Sequence, residues 1–397
     1  MPWKVSPVSE VRLALCHCVR TLRVSVSEAA RRFGVSRRTA HKWLAVYDAA
    51  PAAGAAPLAA LRDRPRRPRC SPRRTPGETE RAVLAVRDRF NWGPRKIYHY
   101  LLQEARRRGE PPPDLPSVRT LASVLRRNGR VPAPAAPAPD PAPLRFERGA
   151  PNELWQVDFK GPVEVGRRRL MPLSVEDDHS RYLLAFEPCG DVTMASAWAV
   201  LWEVFAGAGL PEGVLCDNAF GTMGTARPAG VSWFDSRLIR LGVRPTHGRP
   251  YHPQTQGKVE RLHGSAGREL FAFNARRDRE GHFRDDCRDW RHVYNTLRPH
   301  EALGDEPPAS RWAPSPRRRP DHLPEPESFY PAGCGNDLRT VDGSGQISFG
   351  GCRILCGRGI AGQRVRVERR DGEVAVFYCW KQFRRLSHDQ LLKGKIL

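Results

Sequence analysis

The sequence is poor in acidic residues relative to basic ones. Its 397 residues contain 43 Asp and Glu against 66 Lys and Arg, which gives a formal net charge of +23. A surface built only for solubility usually mixes both signs, so this imbalance favours a polyanionic partner, whose condensed counterions are released when Lys or Arg binds a phosphate. The excess is concentrated in residues 1–150, which hold 30 Lys and Arg against 12 Asp and Glu. We therefore expect the N-terminal part to make the main contact with that partner.

The sequence also lacks a long apolar run and a regular cysteine pattern. The nearest approach to a membrane span, Met194 to Leu210, carries Glu203 in its interior, so it predicts a packed helix and no membrane partner. The ten cysteines are irregularly spaced and the start of the sequence shows no signal-peptide pattern. These features argue against a disulfide scaffold and favour a reducing, cytoplasmic location.

Residues 1–50 predict three short helices. Apolar residues recur at helical spacing within residues 8–22, at Val11, Leu15, Val19 and Leu22. Ser27 is expected to cap a second helix, Gly34 to make a tight turn, and Ser36 to cap a third helix. The pattern is that of a helix-turn-helix motif, with a small core predicted at Ala29, Ala30, Phe33, Val35 and Trp43.

The third helix of such a motif carries the residues that enter the major groove of DNA. At its N-terminus the sequence places the candidate DNA contacts Arg37, Arg38, Thr39, His41 and Lys42. An ordinary three-helix bundle with a solvated basic face is the alternative. The strong positive charge of this part of the chain favours DNA binding.

Two linkers and a second helical region follow. Residues 51–75 are rich in Pro, Ala and Arg, and this composition predicts a basic linker. Residues 76–131 predict a second helical DNA-binding domain, with a turn at Asn91–Pro94 and a last helix capped by Ser117. A Pro/Ala spacer at 132–147 would be stiff and extended. Whether the second helical region contacts DNA bases or bridges subunits stays open.

From residue 148 the pattern changes to strands and helices. Three strand patterns precede a helix near 193–208, a fourth strand that ends at Asp217, and further helices. This order predicts a ribonuclease-H-like α/β core over residues 148–315, with a mixed five-stranded sheet and helices on both faces. A linker at 316–335 and a small C-terminal β-barrel at 336–397, with short strands and Gly turns, complete the multidomain prediction.

Three carboxylates occupy the positions where this core would place metal ligands. Asp158 lies mid-strand in an apolar setting, where an unpaired charge would be costly. Asp217 ends the fourth strand, and Glu260 lies near the start of a helix. Mg²⁺ takes a few carboxylates and leaves water and phosphate to complete its shell. Asp158, Asp217 and Glu260 are therefore the candidate metal ligands and catalytic residues for phosphoryl transfer, with Mn²⁺ as a substitute ion.

The chain resembles bacterial insertion-sequence transposases that have a retroviral-integrase-type DDE core. The resemblance runs from the helix-turn-helix through the core and is strongest in LWQVDFKGP, VEDDHSRYLLAF, LCDNAF and RPYHPQTQGKVERLHGS. It implies metal binding at Asp158, Asp217 and Glu260, a structural turn at Asp177 to Arg181, and DNA contacts at Lys258 and Arg261. Two departures from the family pattern are Ala219 after Asp-Asn and an insertion, GTMGTARPAGVSW, which lengthens the second interval.

Other candidates are weaker. Cys334, Cys352, Cys356 and Cys379 could form a zinc site, but buried cysteines are often simply small apolar residues. Cys16, His17 and Cys18 are too close together to be tetrahedral ligands within one helix. His247 and His252 could orient a phosphate or a metal-bound water, or could make packing or backbone hydrogen bonds.

The predicted function is that of a transposase that binds the terminal inverted repeats of its element. It would hydrolyse the 3′ strand ends and join them to target DNA as at least a homodimer, in association with a bacterial nucleoid. The alternative is a catalytically silent DNA-binding regulator or target-capture partner with the same fold. A stand-alone nuclease is a third possibility, against which the tandem N-terminal helical regions argue.

Overall fold

The structure is a computed structural model that describes residues 7–51, 56–63, 74–131, 147–217, 230–248, 257–273, 275–370 and 372–387. The chain divides into two compact units, residues 1–74 and residues 75–397. The first unit contains helices and the second contains helices and sheets. No helix within the described ranges is both long and apolar enough to cross a membrane.

The first unit holds α1 (Val8–Arg20), α2 (Val26–Arg32), α3 (Arg37–Ala49) and the short α4 (Pro57–Ala60). The predicted cap at Ser27 is wrong, because α2 already begins at Val26 and the Ser25 hydroxyl accepts the Glu28 N–H. Ser36 caps α3, as predicted, by accepting the Thr39 N–H. The unit's core contains Leu15, Cys16, Val19, Ala29, Ala30, Ala40, Leu44 and Leu61.

Two positions predicted from helical spacing lie outside this core. Leu22 is 61% exposed because α1 ends before it, and Val11 is 41% exposed. Phe33, Val35 and Trp43 are half-buried against the core, in agreement with their predicted packing role. Gly34 makes the predicted tight turn between α2 and α3 with φ +64°, a conformation that glycine adopts readily.

The second unit begins with α5 (Gly77–Phe90), α6 (Pro94–Arg108) and α7 (Val118–Arg127). Asn91 ends α5 in the left-handed conformation, and Pro94 occupies the first turn of α6. Ser117 caps α7 as predicted. The Phe90 and Trp92 rings stack at 4.2 Å in the middle of the apolar core that the three helices share.

A mixed sheet forms the centre of the second unit. Its strands are β1 (Trp155–Phe159), β2 (Val163–Val165), β3 (Arg168–Asp177), β4 (Leu183–Cys189), β5 (Gly213–Cys216) and β6 (Arg244–His247). Antiparallel pairs join β1 to β3 and β3 to β4, while β1, β5 and β6 run parallel. The sheet has six strands rather than the five predicted, because the three-residue β2 also pairs with β3.

Helices cover both faces of the sheet, as predicted. On one face, α8 (Met194–Ala208) and α9 (Trp233–Arg240) bury Leu201, Phe205 and Phe234 against the strands. On the other face lie α10 (Gly257–Ala266), which continues as a π-helical turn over Gly267–Phe271, and α11 (Glu280–Thr296). The segment from Met194 is therefore a packed helix.

The helices α5–α7 are not a compact unit of their own. They belong to the same unit as the sheet, and Val293 and Leu297, at the end of α11, pack against their apolar core. Residues 76–131 therefore contain helices, as expected, and share a compact unit with the sheet; a second helical DNA-binding domain over 76–131 stays a prediction.

The C-terminal region forms two small sheets around one apolar core. A four-stranded antiparallel sheet contains β7 (Leu338–Thr340), β10 (Arg364–Arg370), β11 (Glu373–Tyr378) and β12 (Lys381–Ser387). A separate hairpin contains β8 (Gln346–Phe349) and β9 (Cys352–Leu355). Within the described residues these strands do not close into a ring, so the predicted β-barrel is not confirmed.

The two C-terminal sheets pack on α9. The Val231 N–H donates to the Cys356 carbonyl at 2.7 Å, and the Trp380 indole N–H donates to the Ile239 carbonyl at 2.6 Å. Gly230 makes this approach possible, because a Cβ there would lie 2.2 Å from the Cys356 carbonyl oxygen. The predicted linker at 316–335 is accordingly part of the same compact unit.

Candidate catalytic centre

Asp158 and Asp217 lie at neighbouring positions of two parallel strands. Val157 of β1 pairs with Cys216 of β5, and each acid is the next residue along its strand direction. Because neighbouring strands lie about 4.8 Å apart, the two acids emerge side by side. Asp217 follows the end of β5, at the carboxyl edge where open α/β sheets keep their ligands.

Glu260 lies in the first turn of α10, with its side chain exposed. The helix crosses over β1, since the Nδ1 atom of His263, one turn after Glu260, is 3.8 Å from an Asp158 carboxylate oxygen. The negative charge of Glu260 is one of those that raise the pKa of Asp158. The structure therefore brings the three predicted residues to one side of the sheet.

The electrostatics of Asp158 reflect this crowding of negative charge. Its pKa is raised to about 6, first by burial and then by the charges of Asp217 and Glu260, while a hydrogen bond from the Phe159 backbone opposes the shift. Burial and the two neighbouring charges penalise the ionised carboxylate, whereas the hydrogen bond favours it. A cation at this edge would relieve the same penalty.

The donor set suits a hard divalent cation. Asp158 and Asp217 supply carboxylate oxygens from adjacent strands, the ligand type that Mg²⁺ prefers, and Glu260 supplies a third from α10. Within the described residues, no three Asp, Glu, His or Cys side chains lie close enough together to surround an ion. The Glu260 side chain is exposed at the start of α10.

A small hydrogen-bonded group next to Asp158 was missed by the sequence analysis. The Ser174 hydroxyl donates to the Asp158 carbonyl at 3.0 Å and lies 2.9 Å from Nε2 of His263. Burial, with the nearby charge of Lys160, lowers the pKa of His263 to about 4, so the imidazole is neutral near pH 7. The sequence could have indicated His263, because a residue three positions after Glu260 lies on the same face of the helix.

His247 is held against the backbone of Asp217. Its Nδ1 lies 3.2 Å from the Asp217 carbonyl and its Nε2 3.0 Å from a carboxylate oxygen of Asp235. Burial opposes protonation, but the two acceptors outweigh it and the pKa of His247 is raised. Of the two roles considered for this histidine, the structure shows the backbone hydrogen bond. His252 lies outside the described residues, as do Ala219 and most of the insertion.

The turn from Asp177 to Arg181 is structural, as the resemblance implied. The Asp177 carboxylate accepts hydrogen bonds from the Asn152 N–H and from both the N–H and hydroxyl of Ser180. Its neighbour Asp178 forms an ion pair with Lys258 at 2.6 Å. The Lys258 side chain is only 19% exposed, so this predicted DNA contact has its charge matched inside the protein. Arg261 is exposed.

The predicted DNA contacts of the first unit lie at the start of α3. Arg37, Arg38, His41 and Lys42 are exposed, and Thr39 is half-buried. The Lys42 ammonium lies 4.9 Å from the centre of the Trp43 ring. Four of the five side chains therefore face solvent at the helix end that the motif assigns to DNA, and DNA contact itself stays a prediction.

The cysteines give no support to a zinc site. Cys352, Cys356 and Cys379 are buried in the apolar core of the C-terminal sheets, and Cys334 is half-buried. Burial raises the pKa of the Cys356 thiol to about 12, which disfavours the thiolate that binds metal. Cys16 is buried in the core of the first unit, as expected for a packing residue.

Comparison with known proteins identifies the central region. Residues 148–253 and residues 241–308 match two family models, each described as an integrase core domain. The resemblance seen in the sequence is thereby confirmed for residues 148–308.

Individual relatives cover smaller parts. The Gag-Pro-Pol polyprotein of Simian retrovirus SRV-2 is 34% identical over 113 residues, which are 28% of this chain and 6% of the polyprotein. A 39.2 kDa protein of the insertion element IS476 from Xanthomonas euvesicatoria is 28% identical over 164 residues, or 40% of this chain and 44% of that protein. The matches thus span less than half the length of these relatives.

Among solved structures, the HTLV-2 integrase catalytic core domain in complex with magnesium aligns with a TM-score of 0.32 and 14% identity. That alignment covers 41% of this chain and 97% of the other.

Proposed function

We propose that the chain is a DDE transposase of a bacterial insertion sequence, because residues 148–308 match two family models described as integrase core domains. It binds the terminal inverted repeats of its element, hydrolyses the 3′ strand ends and joins them to target DNA. The observation that carries the proposal is the side-by-side placement of Asp158, on β1, and Asp217, directly after β5, with Glu260 on the helix that crosses β1.

Asp158, Asp217 and Glu260 would hold Mg²⁺, with Mn²⁺ as a substitute. When bound, two such ions activate a water or a 3′-hydroxyl and stabilise the leaving oxygen of an in-line displacement at phosphorus. The chain's own residues fix the ligands. The Ser174 hydroxyl holds the Asp158 carbonyl, and the His247 imidazole holds the Asp217 carbonyl. Because His263 is neutral near pH 7, it adds no positive charge beside Asp158.

DNA recognition belongs in this proposal to the basic N-terminal part. The exposed start of α3 enters the major groove at the element ends, and Arg261 contacts DNA beside Glu260. Joining two ends requires two active sites in one assembly, so at least a homodimer forms on DNA. The protein works in the bacterial cytoplasm, in association with the nucleoid.

A strand-specific cleavage assay tests the proposal. Wild type, Asp158→Asn, Asp217→Asn and Glu260→Gln are compared on DNA that carries the element's own ends, with Mg²⁺ or Mn²⁺. We expect metal-dependent nicks at the 3′ strand ends with wild type, and none with the three variants, while all four proteins bind the DNA.

The outcome separates the alternatives. Binding without cleavage by wild type would move the assignment to a DNA-binding regulator or target-capture partner on the same fold. Cleavage without joining would indicate a nuclease.

A further inference from the structure

The buried Asp178 carboxylate is hydrogen-bonded to the chain segments just before two of the proposed catalytic acids, Asp158 and Glu260. Asp178, in the turn after β3, accepts hydrogen bonds from the Gln156 side-chain amide and from the Lys258 ammonium, each at 2.6 Å. Gln156 lies two residues before Asp158 on β1, and Lys258 lies two residues before Glu260 on α10. The second Asp178 carboxylate oxygen accepts the Arg148 N–H at 2.9 Å.

The turn that carries Asp178 is itself held from several sides. The Asp177 carboxylate ties it to Asn152 and Ser180. Arg181, with φ +61°, donates to the Asp178 carbonyl, and its guanidinium lies 3.4 Å from Glu147. These contacts hold the turn in place. Asp178 is therefore well placed to hold β1, through Gln156, and α10, through Lys258, in a defined relative position.

We propose that Asp178 is a positioning residue that sets the start of α10 against β1, and through Lys258 and Gln156 holds Glu260 in register with Asp158. The inference rests on the proposed function for the identity of the metal ligands. It assigns to Lys258 an internal role in place of the DNA contact implied by the family resemblance.

Charge and burial support this assignment. The Asp178 side chain is 5% exposed and that of Lys258 is 19% exposed. Glu176 is buried near the pair. A buried ammonium that loses its carboxylate partner must move toward water. In this helix such a movement displaces the turn that carries Glu260, so the ion pair and the position of Glu260 are linked.

Mn²⁺ affinity and backbone protection test the inference without relying on catalysis. Asp178→Asn, Lys258→Met and the double variant are compared with wild type in Mn²⁺ titrations followed by electron paramagnetic resonance. We expect each single variant to bind Mn²⁺ more weakly by up to about ten-fold, the lower end of the effect for a direct partner of a metal ligand, because Asp178 and Lys258 act one contact further away. The double variant should be no weaker than Asp178→Asn alone, because Asp178→Asn already removes the interaction that Lys258→Met removes. Amide hydrogen exchange within residues 257–266 should accelerate in the same variants.

Arg261→Met is the matched control, since Arg261 is exposed on the same helix turn. It should weaken DNA binding and leave Mn²⁺ affinity and amide exchange unchanged, whereas Lys258→Met should do the reverse. Lys258→Arg keeps the charge but moves the donor atoms. Lys258→Arg should retain the amide protection and lose only part of the Mn²⁺ affinity. If Lys258→Met does not fold, Lys258→Arg is used in its place.

The inference is overturned if Mn²⁺ affinity is unchanged in the single variants, if the losses multiply in the double variant, or if Lys258→Met resembles Arg261→Met. The proposed function fails separately: wild type that never nicks element ends would refute the transposase assignment, while the exchange and Mn²⁺ results would still decide the role of Asp178.

Discussion

The two helical regions of this chain look alike in sequence and differ in structure. Both α1–α3 and α5–α7 consist of three helices, both are rich in arginine, and both end in a helix with a serine cap. The first set forms the compact unit 1–74, whereas the second set belongs to the same compact unit as the six-stranded sheet. Similar helix patterns in the sequence therefore give a self-contained unit in α1–α3, whereas α5–α7 are docked on the rest of the unit 75–397.

The difference lies in what the basic residues contact. On α6, Arg95 pairs with Asp305 at 2.8 Å, and Lys96 lies 3.5 Å from Glu269. On α3, Arg37 and Arg38 are exposed at the helix start. A count of positive charges thus overstates how many can bind phosphate, because part of the charge on α6 fastens that helix to the core.

Replacing Glu269 should have the largest effect on the docked region. Glu269 pairs with Arg298 at 2.9 Å, and both side chains are nearly inaccessible, at 5% and 6% exposed. Glu269→Ala leaves a buried guanidinium without its carboxylate, which costs about 3–5 kcal/mol. We expect a clear fall in the denaturant midpoint of the 75–397 unit.

Asp48→Ala is the control for that variant in the first unit. The Arg20–Asp48 pair is 48% and 43% exposed, so its loss should cost at most about 0.5 kcal/mol. Equal losses in the two variants would show that burial gives the Glu269–Arg298 pair no more weight than a surface ion pair.

The next effect concerns the attachment of α6 itself. Asp305 accepts from Arg95 and lies 3.2 Å from Nε2 of His99, while the Gln103 amide donates to its backbone carbonyl. Asp305→Asn removes the charge and keeps the backbone bond, so we expect a loss of about 1–2 kcal/mol. Amide exchange in residues 94–108 should accelerate while exchange in residues 37–49 stays as in wild type.

Glu104→Gln is the matched control for Asp305→Asn. Glu104 pairs only within α6, with Arg107 and Arg108, among the ion pairs of the described residues. If this variant loosened α6 as much as Asp305→Asn, the docking role of Asp305 would be disproved.

Much of the architecture could be predicted because it depends on local patterns. The strands that hold Asp158 and Asp217, the helix that holds Glu260, and the caps at Ser36 and Ser117 follow from hydrophobic periodicity and capping chemistry. Asp158 was expected mid-strand and Asp217 at the end of the fourth strand, and the register of β1 with β5 sets the two acids side by side.

What the sequence could not provide is the long-range partners of its charged residues. Lys258 and Asp178 are 80 positions apart, and no periodicity connects them, so Lys258 could only be assigned by resemblance. The docking of α5–α7 depends likewise on Asp305 and Glu269, about 200 positions further along the chain. The short β2 was missed because three residues carry too little alternation to stand out.

Replacing Lys96 should raise the stability of the protein, whereas the loss of an ion-pair partner usually lowers it. Burial is the main reason that its pKa falls to about 8, and the charge of Arg298 adds to the shift although Glu269 opposes it. The unfolded chain therefore binds the proton more tightly, and stability rises as the pH increases from about 8 toward 10.5. Lys96→Met should stabilise the 75–397 unit at pH 7 by about 1–2 kcal/mol and abolish that alkaline rise. Thermal unfolding at pH 7 and pH 10 measures both effects, and a less stable variant at pH 7 would contradict the burial argument.

The smallest effect compares the two serine caps directly. Ser36 and Ser117 each accept a backbone N–H three residues on, at 3.1 and 3.3 Å, so each alanine variant should cost about 1 kcal/mol of helix stability. In the self-contained unit the Ser36 cap lies beside the candidate DNA contacts at the start of α3, and Ser36→Ala should therefore also weaken binding to element-end DNA. In the docked region, Leu121, Val124 and Leu125 anchor α7 in the shared core, and Ser117→Ala should leave DNA affinity within about two-fold of wild type. Binding titrations at one fixed salt concentration compare the two variants, and equal losses would place a DNA-reading helix in both regions.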